Sequence, residues 1–191
     1  MKIRVLLLAS GDGSLVQAII DAVKKDELDI YIVGLVCDQP GARVIERVKA
    51  AGIATYLIPI AVERQQWDKE IWDVGIELNP DLIVSAGFMR ILSPEFVQHF
   101  KVINSHPSLL PNFPGVHAVK DALLANVAVT GTTIHWVDSG VDTGEIIAQV
   151  EIAVVPNDDI ASLHERIKIV ERGLIVETIS KLLPTLEKRH V

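Results

Sequence analysis

Cysteine is nearly absent from this chain. Cys37 is the only one in 191 residues, so no disulfide can form within it, as expected in a reducing compartment. Basic runs are missing too: 18 Lys and Arg stand against 25 Asp and Glu, a net charge of −7. Nucleic-acid binding needs a patch that neutralises phosphates, and the sequence offers none. No stretch approaches the ~18 to 20 apolar residues of a membrane span. The apolar start Met1 to Ala9 is short and runs into a glycine turn rather than a cleavage site, so it reads as a strand and not a signal peptide. The expectation is a cytoplasmic protein with neither a nucleic-acid nor a membrane partner.

Several kinds of chemistry are also missing. His164-Glu165 lacks the second histidine of a zinc-protease helix, and His106 and His117 are split by a proline-rich loop. His99 and His190 read as solvated, and His135, next to Trp136, reads as packing. No metal site is expected. Neither Ser85 nor Ser108 sits in a nucleophile elbow, and Cys37 lies in an apolar run, so a covalent intermediate on the protein is not expected either.

What is present is an apolar chain, 49% hydrophobic, long enough to bury a core as one domain. There is no linker, repeat or low-complexity segment. Continuous apolar runs at Ile3 to Ala9, Ile30 to Cys37, Thr55 to Ile58 and Asp81 to Ala86 alternate with helical patterns from Ser14 to about Lys25, about Ala42 to Ala51, and Glu63 to Leu78. Trp67, Ile71, Val74 and Leu78 recur at helical spacing, Gly52 caps one helix and Asn79-Pro80 stops another. Such alternation predicts a parallel sheet with helices on both faces. After a short helix from His117 to Ala125, strands at Thr132 to Val137 and Ile146 to Val155 flank a turn too tight for a crossover, so they should pair antiparallel. A last helix, about Asp159 to Leu183, carries an apolar stripe of Ile160, Leu163, Ile167, Val170 and Leu174. The fold class is therefore α/β: a Rossmann-like open sheet, mostly parallel with an antiparallel C-terminal part.

Asn104 and His106 stand two apart in Ile103-Asn104-Ser105-His106-Pro107, and residues i and i+2 of a strand share a face. Pro107 cannot donate to a ladder and ends the strand. A hydrogen-bond donor and a titratable ring are thus held side by side, which suits gripping a carbonyl oxygen while a proton moves. Asp142, in Gly140-Val141-Asp142-Thr143-Gly144, would raise the His106 pKa if the two meet. Taken alone, Asp138 and Asp142 are ordinary turn residues. The turn Ser10-Gly11-Asp12-Gly13-Ser14 joins the first strand to the first helix, where backbone amides favour an anion. Val16 replaces the third glycine of a dinucleotide fingerprint and there is no Walker lysine, so a single phosphate fits better, with a plain βα turn as the alternative. Asp38 closes the second strand but precedes Gln39-Pro40-Gly41 and reads as a turn residue rather than a ribose ligand. Gly87 to Pro94 follows the fourth strand, with one arginine among apolar residues, and could take a flat aromatic carboxylate or simply begin a helix.

Five stretches together resemble the folate-dependent formyltransferases, and within them the branch acting on glycinamide ribonucleotide. They are A-S-G-D-G-S-L at 9–15, S-A-G-F-M-R-I-L-S-P at 85–94, I-N-S-H-P-S-L-L-P at 103–111, P-G-V-H-A at 114–118 and V-D-S-G-V-D-T-G at 137–144. The resemblance implies formyl transfer from 10-formyltetrahydrofolate, as co-substrate, to the amine of phosphoribosylglycinamide, without a metal. It implies a catalytic set of Asn104, His106 and Asp142. It places the ribonucleotide on Gly13, Ser14, Leu15 and Glu171, and the folate on Arg64, Met89, Arg90, Ile91, Leu92 and Asn104. Leu15 departs from the family's frequent asparagine, which removes one side-chain donor. The related methionyl-tRNA formyltransferases and formyltetrahydrofolate hydrolases carry extra C- or N-terminal domains that this sequence is not expected to have. The rival outside the family is a non-catalytic nucleotide-binding module. Oligomeric state is left open, a homodimer included.

Overall fold

The computed structural model describes residues 2–60 and 63–186. His190 and the end of the chain lie outside the described residues. The first strand, β1 (Ile3–Ala9), is IRVLLLA, and all but Arg4 of its residues are buried. A glycine turn leads to α1 (Ser14–Lys24), then β2 (Ile30–Cys37), α2 (Arg43–Ala50), β3 (Thr55–Leu57), α3 (Arg64–Leu78) and β4 (Leu82–Ser85). After these come α4 (Pro94–His99), β5 (Val102–His106), α5 (Ala118–Leu124), β6 (Val129–Trp136), β7 (Ile146–Ala153) and α6 (Ile160–Leu182).

The strands form one seven-stranded sheet in the order β3-β2-β1-β4-β5-β6-β7. β3 through β5 pair parallel. β5–β6 and β6–β7 pair antiparallel. The expected fold class holds, with the antiparallel part starting one pairing earlier than the β6–β7 hairpin. Alternate residues feed two cores. Val5, Leu7, Val84 and Ile103 face α1, α2 and α6. Leu6, Leu8, Ile83 and Val102 face α3 and α4 with Trp67, Ile71 and Phe96. Trp67 is fully buried and donates to the Ile58 carbonyl at 3.0 Å; a side chain so placed contributes roughly 1.5–3 kcal/mol by burial. Cys37 is a buried core residue of β2. Among the described residues no helix is long and apolar enough to cross a membrane.

Three details differ from the sequence reading. β6 starts at Val129, running through Gly131, where a side chain would meet the Val150 carbonyl and Leu109; that glycine marks close packing inside a strand rather than its end. The segment after β4 is irregular, and α4 begins only at Pro94, with Ser93 as its N-cap accepting from the Phe96 amide. Ile160 is exposed, and the buried face of α6 instead continues through Glu171, Ile175, Thr178 and Ile179. Two polar residues on that face hide its period from a hydrophobicity count.

Candidate active site

β5 places Asn104 and His106 on one face and Ser105 on the other, and the strand stops before Pro107 as expected. Its neighbours extend the row sideways, since Asn104 is in register with Ser85 on β4 and with His135 on β6. The Ser85 hydroxyl donates to Asn104 Oδ1 at 2.8 Å, and Asn104 Nδ2 lies 3.2 Å from His135 Nε2. His135 Nδ1 faces the Trp136 carbonyl at 2.8 Å, so that nitrogen carries a proton and Nε2 is the acceptor in the neutral ring. Asn104 is thereby oriented from both sides, with its second amide N–H left for a ligand oxygen.

The loop after β5 returns over this row. Thr133 holds it, donating to the Ser108 carbonyl and accepting from the Leu110 amide. The loop brings the Phe113 carbonyl to 2.8 Å from His106 Nε2 and the Gly115 amide to 2.7 Å from Asp142 Oδ2. Asp142 sits at a positive φ of 55° in the β6–β7 turn. Its Oδ2 lies 3.3 Å from His106 Nδ1 and its Oδ1 lies 3.5 Å from His135 Nε2. The expected meeting of His106 and Asp142 is there. Asp138 accepts from the Gly140 amide and the Thr143 hydroxyl, shaping the same turn.

The charge balance departs from the sequence expectation. Burial pushes the His106 pKa below its ordinary 6.5; the Phe113 carbonyl and Asp142 pull it upward without offsetting that burial. Asp142 does stabilise the charged ring, but the ring is almost wholly removed from water. For Asp142 burial raises the pKa, yet the surroundings supplied by His135, the hydrogen bond from the Gly115 amide and the nearby His106 ring outweigh it, leaving the carboxyl below its ordinary value.

A cavity of about 320 Å³ opens over this row, lined by Asn104, His106, His135 and Asp142 at its polar end and by the 87–92 segment along its side. Met89, Ile91, Val116 and Val141 are exposed at its mouth. An apolar cleft ending in a few convergent polar groups suits a flat ring with a reactive polar head. Arg90 lines it while its Nε donates to Asp38 at 2.6 Å. Asp38 is therefore an anchor for the 87–92 segment, not merely a turn residue. Arg64 is not in the lining: it stacks over Trp67, pairs with Asp68, and donates to the Ile91 carbonyl at 2.7 Å, bracing the segment from outside. Among the described residues no cluster of three or more metal-ligating side chains occurs.

Gly13 caps α1 and Ser14 and Leu15 open it, at the end of the adjacent turn from β1. That loop is fastened to the cavity wall, because the Ser10 amide donates to the Gly87 carbonyl at 3.0 Å and the Ser10 hydroxyl accepts from the Met89 amide at 2.8 Å. Gly13 has φ +75° and touches Val44 so closely that a Cβ would lie 2.4 Å from its methyl. Leu15 turns its side chain into the core, leaving only its amide at the helix start. Glu171 reaches the underside of β5, where the Ser105 hydroxyl donates to it at 2.8 Å and the Thr132 hydroxyl lies 3.4 Å away. Burial raises its pKa, with those two hydroxyls opposing.

Ser10, Ser85 and His135 also belong to the site, although the sequence alone gives them no role there. Only strand register reveals the last two, and one sequence does not carry register.

The formyl transferase family model matches residues 3–179. The phosphoribosylglycinamide formyltransferase of Mycobacterium tuberculosis is 43% identical over 183 residues, covering 94% of this chain and 84% of the relative. That of Bacillus subtilis is 39% identical, covering 93% of each. Among solved structures, the phosphoribosylglycinamide formyltransferase of Bacillus halodurans matches with TM-score 0.91 at 39% identity, over 96% of this chain and 97% of that one. Glycinamide ribonucleotide transformylase 1 of Symbiobacterium toebii matches with TM-score 0.93 at 32% identity, over 96% and 89%. With this agreement across nearly its whole length, the chain belongs to the formyl transferase family.

Proposed function

We propose that the chain is a phosphoribosylglycinamide formyltransferase. It moves the formyl group of 10-formyltetrahydrofolate to the amine of phosphoribosylglycinamide, releasing tetrahydrofolate, as one step of purine synthesis in the cytoplasm. The observation that carries this reading is the convergence of Asn104, His106 and Asp142 at the polar end of an apolar-mouthed cavity. The 1–191 chain acts as one formyltransferase domain, and no partner beyond its small-molecule substrates is needed for the reaction.

Met89, Arg90, Ile91 and Leu92 receive the folate ring, with Arg64 behind them. Gly13, Ser14 and Leu15 offer backbone amides to the phosphate, and Glu171 meets the ribose. The substrate amine attacks the formyl carbon, forming a C–N bond and a tetrahedral oxyanion. The free Asn104 N–H donates to that oxygen as its charge grows, joined by His106 in its protonated form, which burial disfavours and Asp142 and the Phe113 carbonyl support. Asp142 takes the amine proton, directly or through water. The bond from the formyl carbon to the folate nitrogen then breaks, and that nitrogen takes a proton from His106. Acid–base help of this kind is worth roughly 10² to 10⁴ in rate, with positioning added.

Single-turnover transfer, wild type against His106→Ala, tests the reading. The variant should lose at least about 10²-fold in rate while still binding both ligands. Formate release without transfer would instead indicate a hydrolase, and neither reaction a binding module.

A further inference from the structure

We propose that Arg47, on α2, is a positioning residue that presets the backbone amides of the 11–15 loop for an anionic group. This rests on the proposed function for the identity of that anion, the phosphate of the ribonucleotide. The side chain is about three-quarters buried, and all three guanidinium nitrogens bond to this turn and the start of α1. Nε donates to the Asp12 carbonyl at 2.8 Å, Nη2 to the Asp12 carboxylate at 3.0 Å, and Nη1 to Gln17 Oε1 at 3.4 Å. A second bond from α2 acts one residue earlier, where the Val44 amide donates to the Gly11 carbonyl at 3.1 Å.

In a trans peptide the carbonyl of one residue and the N–H of the next point in opposite directions. Tying the Gly11 and Asp12 carbonyls to α2 therefore turns the Asp12 and Gly13 amides away from it. The Val44 side chain fills the space beside Gly13 that a Cβ would need, and holds the turn at φ +75°. Beyond Gly13, the first α1 amide to close a helical bond is that of Gln17, onto the Gly13 carbonyl, so the amides ahead of it are at the open helix start. α2 is the rigid backing of a cup of N–H groups.

The arrangement bears on Leu15. With its side chain in the core, the loop has no asparagine donor at that position. More of the affinity for the phosphate then falls on main-chain amides, whose directions Arg47 fixes before the ligand arrives. Preorganisation removes the ordering cost that binding would otherwise meet. Lysine cannot replace the fork, because a single ammonium cannot reach the carbonyl, the carboxylate and Gln17 in that planar geometry.

The test is steady-state kinetics of the full chain with Arg47→Ala and Arg47→Lys. Both variants should raise KM for phosphoribosylglycinamide about tenfold, equivalent to about 1.4 kcal/mol, with kcat and the folate KM within about twofold. On the riboside lacking phosphate, both should match wild type. A wild-type KM in Arg47→Lys would overturn the proposal, since charge alone would then suffice; so would an equal loss on the riboside. Inorganic phosphate, titrated while following the amide resonances of Gly13 to Leu15, gives a readout independent of catalysis. Those resonances should move in wild type and require about tenfold more phosphate in Arg47→Lys. If wild type binds phosphate there but does not formylate the ribonucleotide, the proposed function fails and Arg47 keeps its role. If the variant binds phosphate as tightly as wild type, the role fails whatever the reaction.

Discussion

Ser105 and Glu171 are hydrogen-bonded at 2.8 Å on the face of β5 opposite Asn104 and His106. The strand thus carries polar rows on both faces at its C-terminal end: Ser85, Asn104 and His135 above, and Ser105, Glu171 and Thr132 below. Burying the lower row has an energetic signature. The Glu171 pKa is raised by burial, so the folded state holds its proton to higher pH than the unfolded chain does. Its contribution to stability is complete below the ordinary carboxyl value of 4.5 and is lost as pH rises through the folded value. Glu171→Gln keeps an oxygen for Ser105 but no charge. Measured by denaturant unfolding at a series of pH values, the stability of wild type should fall relative to Glu171→Gln as pH rises from 4 toward 7. Parallel curves would mean that the carboxyl ionises in the fold as freely as in the unfolded chain.

His106 titrates in the opposite sense. Burial lowers its pKa, so the neutral ring is favoured in the fold, and its contribution to stability is present above 6.5 and lost as pH falls through the folded value. By NMR the His106 ring should show a midpoint below 6.5. In Asp142→Asn, which removes the charge pulling that value upward, the midpoint should move lower still. An upward or absent movement would show that the 3.3 Å contact has no electrostatic influence on the ring.

His135 orients both Asn104 and Asp142. His135→Ala removes the acceptor of the Asn104 amide and the ring beside Asp142, and a hydrogen bond of this kind is worth about 1–3 kcal/mol, or roughly 5- to 150-fold. The expected result is a fall in kcat of that order with the ribonucleotide KM nearly unchanged, because the 11–15 loop is untouched. A rise in KM alone would place His135 in binding rather than in orienting the reacting groups.

Much of this could be read from the chain itself. The bounds of β1 and β2 follow from uninterrupted apolar runs, and Asn104 and His106 share a face because a strand repeats every two residues. His135 escaped because its role comes from pairing β6 with β5, a long-range register that local pattern does not encode. The direction of the His106 shift escaped for a related reason. Asp142 as a neighbour could be inferred from a family likeness, whereas the loss of water around the ring depends on the 108–116 loop closing over it. β6 begins three residues ahead of Thr132, through Gly131, because a glycine signals a turn and a tight packing site equally well.

Ser10 donates from its amide and accepts at its hydroxyl, both on the segment after β4. On the proposed reading, one loop holds the acceptor's phosphate and the other lies along the donor's ring. An enzyme that passes a group between two molecules is in part a ruler, and two hydrogen bonds at Ser10 help set the length of this one. The gap between the two substrates is thereby a property of the empty protein, fixed before either arrives.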